Sequence, residues 1–205
     1  MKKVFQNYFS HPLVLSLWIL FIVMLGVIIF SGLLVKHWLW FFLPIIIAPF
    51  YEWYAHKFLL HAKLSKKFKA LREFQIKLHH EHHRQPHELK YQFAPLLAVI
   101  LHLAQTYILF SILSFSLTTS LVPFTSGILY YVFYEWMHLA HHTPSYKPKT
   151  KLGEKLKRAH MRHHFYNENY CWGITNHIAD LFLKTFKERS EVEKSKTTHH
   201  IAGYD

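Results

Sequence analysis

The apolar positions of this chain come in long uninterrupted blocks. Pro12–Val35 runs 24 residues without a charge or a histidine. A helix of that length covers roughly 36 Å at 1.5 Å per residue, enough to cross a bilayer with some tilt. Further blocks follow at Trp38–Ala55, Phe93–Phe115 and about Leu121–Met137. The pattern predicts four spans in two hairpins, with short outer turns at Lys36-His37 and Ser116–Ser120. The first block lacks a small-residue cleavage site after a short apolar core, so it reads as a span and not as a removable signal.

Basic residues then orient the spans. Of 24 Lys and Arg, 2 precede the first block, 8 lie in Ala62–Gln92 and 12 follow His142; Lys36 stands alone on the other side, and Lys57 sits at a span end. The positive-inside bias places both termini and the middle loop in the cytoplasm. The net charge of +12 flanks the spans. It therefore reads as orientation and anionic-lipid contact, not as a nucleic-acid surface. Cys171 is the single cysteine, which excludes an internal disulfide framework and thiolate-rich metal sites.

The chain writes nearly the same phrase twice at span ends: FYEWYAHKFLLH at Phe50–His61 and FYEWMHLAHH at Phe133–His142. Each is followed by a basic stretch and an H-x-x-H-H group, His79-x2-His82-His83 and then His160-x2-His163-His164. Positions i, i+3 and i+4 share a helix face, so each of these groups should converge, as should His138 and His142. His56 and His61 are five apart, about 140° around an ideal α-helix, and need a bend or a helix end to meet. These ten imidazoles, with no thiolate, suit a borderline metal such as iron, zinc or copper. Ten are too many for one ion; five on each of two octahedral ions leave one open position apiece for chemistry. His80 and His141 sit beside these residues but out of pattern. Glu52 and Glu135 each lie one turn from a candidate ligand, in a setting where an unpaired carboxylate is costly. They are expected to hold the second N–H of His56 and His138, with direct ligation of the metal or a place in the wet interface as the alternatives. Trp53, Tyr54, Tyr134 and Trp136 are candidates to line a lipid-chain path, or interfacial belt residues.

The order H-x4-H, H-x2-H-H, H-x3-H, H-x2-H-H resembles the integral-membrane fatty acid hydroxylase and sterol desaturase superfamily. EWYAHKFLLH, HHEHHRQPHE, YEWMHLAHHTP and RAHMRHHFYNENYCWGIT look like its histidine boxes, and NENYCWGITNHIADLFLKT is similar to its aromatic-Gly-x-Thr turn followed by an Asp. The resemblance covers about residues 51–185 of a single membrane domain, 1–205, and leaves 186–205 as a charged C-terminal tail. Glu88 stands where many relatives carry Asp, and Thr143 favours His142 over His141 as the ligand. The resemblance implies an all-α integral membrane enzyme whose cytosolic helical cap holds a histidine-rich di-metal centre. Its cofactors would be two iron ions, with zinc able to replace them on purification, and O₂ as co-substrate. The implied reaction is hydroxylation of an acyl chain of a fatty acid or complex lipid. Desaturation, or carotenoid or sterol hydroxylation, is the alternative within the superfamily. A membrane metal transporter is the rival of another class, although transporter sites lie near the bilayer midplane and these histidines cluster at one face. With no fused cytochrome b5 domain before the spans, a separate electron donor is expected: a ferredoxin, a cytochrome b5-like protein or a reductase. The compact size and the ending IAGYD, without a lysine-based retrieval signal, point to a bacterial inner membrane.

The charge distribution makes a topology prediction. A reporter fused after Asp205 is expected in the cytoplasm and one inserted near Thr118 on the opposite side. Protease or thiol-labelling access to the C-terminus from outside sealed cells would rule out the four-span arrangement.

Overall fold

The computed structural model describes residues 2–201; Met1 and residues 202–205, which carry most of the ending read above, lie outside the described residues. Every regular element among them is helical: α1 (Lys2–Ser10), α2 (Pro12–Phe30), α3 (Leu33–Lys36), α4 (Trp38–Tyr54), α5 (Lys69–Gln75), α6 (Glu81–Arg84), α7 (Leu96–Ser114), α8 (Leu121–His142), α9 (Lys151–Phe165) and α10 (Ile178–Phe182). Two π-helical segments interrupt this series, Ala55–Leu60 after α4 and Ile76–His80 between α5 and α6. The chain packs into two compact units that interleave in sequence. One comprises Lys2–Ala48 and Leu96–Trp136, the other Pro49–Pro95 and Met137 onward.

The first unit is the apolar one. Only Val14, Leu17 and Ile28 of α2 are buried, while Ile19 and Ile22 are 64% and 63% exposed. Such outward-facing aliphatic surface is costly against water and neutral against lipid tails. Hydroxyls along these helices bond back to the carbonyl one turn earlier: Thr106 to His102 at 2.9 Å, Ser111 to Tyr107 at 2.8 Å and Thr125 to Leu121 at 2.7 Å. These hydroxyls are satisfied without water, as a hydrocarbon environment requires. The Tyr8 hydroxyl of α1 donates to the Val132 carbonyl at 2.6 Å, and the Phe5 and Tyr8 rings pack on Trp136. Trp136, a candidate for the lipid path, is therefore contacted by the N-terminal helix.

Among the described residues two helical stretches, Pro12–Phe30 and Leu89–Ser114, are long and apolar enough to cross a membrane, where the block pattern gave four. The other two blocks differ for separate reasons. Helix α4 has 17 residues before its winding changes at Ala55. Helix α8 has 22, but Glu135, His138, His141 and His142 fall in its last third.

The second unit carries the histidines, and its organising feature is the turn Trp172–Thr175. The carboxylate of Asp180 accepts from the backbone N–H of Trp172 (3.0 Å) and of Gly173 (2.7 Å) and from the Thr185 hydroxyl (2.6 Å). Glu52 clamps the other end, accepting from the Ile174 and Thr175 N–H groups and, at 2.8 Å, from the Thr175 hydroxyl. Both carboxylates are buried, Asp180 at 0% and Glu52 at 7% exposure, so backbone donors replace the water they lose. Gly173 is obligatory because a Cβ there would lie 2.0 Å from the Asn176 carbonyl oxygen and 3.0 Å from Asp180 Oδ2. The aromatic-Gly-x-Thr…Asp signature is thus one hydrogen-bonded object.

Gly173→Ala is expected to cost about 3 kcal/mol or more, since the contact is with backbone and cannot relax. Glu52→Gln, which keeps an acceptor but loses the charge, is expected to cost roughly 1.5–3 kcal/mol. Thermal unfolding in detergent checks both; wild-type midpoints would mean the turn does not hold the unit together.

Candidate metal centre

The ten in-pattern histidines gather into two groups of five. His56, His61, His79, His83 and His163 form one; His82, His138, His142, His160 and His164 form the other. Within each group the candidate ligand nitrogens lie within 4.8 Å of one another. The H-x-x-H-H triplets do not each converge on one point, as the shared-face argument suggested. Each is divided: His79 and His83 go to the first group and His82 to the second, while His160 and His164 go to the second and His163 to the first. The reason is angular. Steps of three and four residues fall about 60° short of and 40° past a full turn, so i+3 and i+4 lie on opposite sides of the stripe. His56 and His61 meet because Ala55–Leu60 is π-wound: the His61 N–H donates to the His56 carbonyl at 3.1 Å, an i to i+5 bond.

Backbone carbonyls orient four of the rings. Nδ1 of His56 donates to the Trp172 carbonyl (2.6 Å), His83 to Thr198 (3.0 Å), His163 to Tyr170 (2.8 Å) and His138 to Gln92 (2.9 Å). A carbonyl only accepts, so each Nδ1 carries the proton and each Nε2 is left with a lone pair. At both His56 and His138 the Nδ1 proton goes to a main-chain carbonyl, where a glutamate was expected. Glu52 accepts from Ile174 and Thr175, in the turn that presents the Trp172 carbonyl to His56. Glu135 is buried on α8 in the other unit, and the Nδ1 proton of His138 goes to Gln92.

The Nε2 atoms then face one another. Nε2 to Nε2 separations are 3.1 Å for His56–His79, 2.9 Å for His61–His79 and 3.2 Å for His61–His163. In the second group they are 3.0 Å for His82–His142 and 2.8 Å for His142–His160. Nitrogens bound about 2.1 Å from one ion at right angles sit about 3.0 Å apart, so the donor set fits a metal ion in each group. His83 Nε2 and both ring nitrogens of His164 have no hydrogen-bond partner among the described residues. Burial first, and neighbouring imidazoles second, hold His79, His83, His160 and His164 well below the usual histidine range; burial brings His163 to about 4. The rings are neutral at neutral pH, the form that donates to a metal.

The other sequence candidates fall elsewhere. His80 Nε2 donates to the Leu60 carbonyl at 2.8 Å, and His141, buried 5.4 Å from the His160 ring, belongs to neither group. Trp53 donates its indole N–H to Thr185 at 2.8 Å, and Tyr54 packs on Phe58. Tyr134 stacks on Tyr131 in the other unit. The four aromatics read as a lipid-path lining are thus split between the two units. Conversely, the spacing argument did not single out Gln92, Tyr170, Trp172 and Thr198 as partners of the histidines, because they act through main-chain atoms. Thr198 lies in the segment expected to be a charged tail; there Thr198 and Ile201 are buried, and Ser195 and Thr197 donate to Glu168.

Residues 41–185 match the Fatty acid hydroxylase family. The dihydroceramide fatty acyl 2-hydroxylase of Arabidopsis thaliana is 31% identical over 145 residues, covering 69% of this chain and 57% of that protein. The fatty acid 2-hydroxylase of Mus musculus is 28% identical over 145 residues, covering 71% and 38%. The chain therefore spans between 38% and 57% of these relatives' own length. Both are eukaryotic, which lends no support to the bacterial inner membrane expected above. Among solved structures, the visible hydroxylase domain of full-length Scs7p superposes with a TM-score of 0.72 at 23% identity, over 88% of this chain and 69% of that one. The fold, the paired histidine groups and a match over more than two-thirds of its residues establish that the chain belongs to the fatty acid hydroxylase family.

Proposed function

We propose that this chain is a membrane hydroxylase that inserts an oxygen atom from O₂ into an acyl chain of a fatty acid or complex lipid. The observation that carries the reading is the pair of five-imidazole groups whose ring nitrogens approach to 3.1 Å (His56–His79) and 3.0 Å (His82–His142). His56, His61, His79, His83 and His163 would hold one iron ion, and His82, His138, His142, His160 and His164 the other. When bound, the two ions supply the redox chemistry by which O₂ attacks an unactivated C–H bond. One oxygen atom enters the lipid and the other leaves as water, so each turnover consumes two electrons and two protons. The chain's own part is to keep ten neutral donors in fixed directions and to exclude bulk water from them. The four-span arrangement with cytoplasmic termini belongs to the same reading. It would set all ten histidines at one membrane face, with the acyl chain entering from the bilayer. That the chain passes between its two units repeatedly supports one interdependent domain.

Two measurements test this. Protein purified without chelator is expected to carry about two transition-metal ions per chain by elemental analysis. His83→Ala or His160→Ala should abolish turnover and lower metal content, whereas His80→Ala should be milder because His80 is bonded to the Leu60 carbonyl. A stoichiometry near zero or one counts against the paired site. In cells expressing the wild type, mass spectrometry of extracted lipids is expected to reveal a species one oxygen atom heavier. It should be missing with the His83→Ala chain. A lipid profile identical in both would refute the hydroxylase assignment.

A further inference from the structure

Helix α9 presents a second face beside the one that carries His160, His163 and His164. Arg158, Met161, Arg162 and Phe165, spaced i, i+3, i+4 and i+7, line an open cavity of about 600 Å³. Five cations surround it, Lys157, Arg158, Arg162, Arg189 and Lys194, against the single acid Glu154. Two of them are engaged internally. Lys157 donates to the carbonyls of Thr143 and Tyr146 at 2.8 and 2.7 Å, and Arg162 pairs with Glu188. Arg158 meets Glu154 only at 3.7 Å in an exposed pair, which is worth little, and Lys194 is exposed. The rim keeps an unneutralised positive field.

The floor of the cavity leads to the histidines. The Phe165 ring is 37% exposed, and its centroid lies 6.3 Å from that of His164. His164 stacks on His83 with centroids 4.1 Å apart, and these two rings belong to different five-histidine groups. A redox group resting in the cavity would thus be separated from both groups by little more than one aromatic side chain.

We propose that this cavity is the docking site of an acidic one-electron carrier protein that re-reduces the metal centre through Phe165 and His164. The proposal rests on the hydroxylase reading, which requires two electrons per turnover from outside the site. At each encounter the carrier loses one electron and the centre gains one; two encounters complete a turnover, and the protons come from solvent. Charge complementarity selects the partner: a carrier with an acidic face is steered to the cationic rim, and electron-transfer contacts are small and transient. An anionic bilayer would feel the same field. The concave shape and the aromatic floor adjoining His164 favour a carrier over a lipid surface.

The test uses the full chain in neutral-lipid nanodiscs and two acidic probes, a plant-type ferredoxin and a soluble cytochrome b5 domain. Surface plasmon resonance is expected to detect binding of at least one probe that weakens with added salt. The double variant Arg158→Glu/Lys194→Glu should bind it roughly tenfold less tightly or worse. In turnover driven by that carrier the variant's KM for it should rise, while turnover driven by dithionite stays at the wild-type rate. Unchanged affinity in the variant, or no binding of either probe by the wild type, overturns the proposal. So does a variant whose main loss is co-sedimentation with phosphatidylserine vesicles, which would make the patch a membrane contact. A failure of the hydroxylase reading is distinguishable, because dithionite would then yield no product while the binding comparison still reports on the surface.

Discussion

Four hydrogen bonds from imidazole Nδ1 to main-chain carbonyls set the rest of this site. Each fixes a tautomer and a ring direction at once, and together they point lone pairs of His56, His83, His163 and His138 into two buried volumes. Ring nitrogens packed about 3 Å apart in a low-dielectric interior satisfy one another poorly. A cation in each group would satisfy them. Metal binding and the packing of this unit would then be one equilibrium, with the energy of ligation available to fold the segments that supply the ligands.

Those carbonyls come from segments that need holding in their turn, and the buried carboxylates are spent on that task. Asp180 and Glu52 gather six donors between them, five from the Trp172–Thr175 turn and the Thr185 hydroxyl, and Gly173 lets the chain pass close enough to do so. The Thr198 carbonyl is supplied from beyond the family match, by a segment anchored to Glu168 through Ser195 and Thr197. A carboxylate one helical turn from a histidine thus serves it at one remove, by stabilising the loop whose backbone touches the ring.

Much of this was legible in the sequence. The i, i+3, i+4 spacing picked out eight of the ten histidines because side-chain identity and α-helical period are both written in the residues, and the repeated phrase added His56 and His61. What escaped has physical reasons. Every residue has a carbonyl, so nothing distinguishes Tyr170 or Gln92 as an acceptor until the chain is folded. The division of each triplet between two groups turns on a difference of about 100° between i+3 and i+4, which a shared-face argument smooths over. The glutamates were read by proximity along their own helices, whereas Glu52 bonds to residues more than 120 positions away. Apolar blocks counted as spans took no account of a change of winding at Ala55 or of the polar end of α8.

The π-wound segment Ala55–Leu60 lets this stretch absorb one particular change in length. Removing one residue between His56 and His61 would leave an H-x3-H pair that an ordinary α-helix can still align, as His138 and His142 show. Five residues of π-helix and four of α-helix each close about one turn, so the two ligands would keep their facing. Glu52, four residues before His56, would keep its place relative to that ring and with it the clamp on Ile174 and Thr175. A single-residue gap opened here in aligning two relatives is consequently a change of winding, with the site on either side of it left as it was.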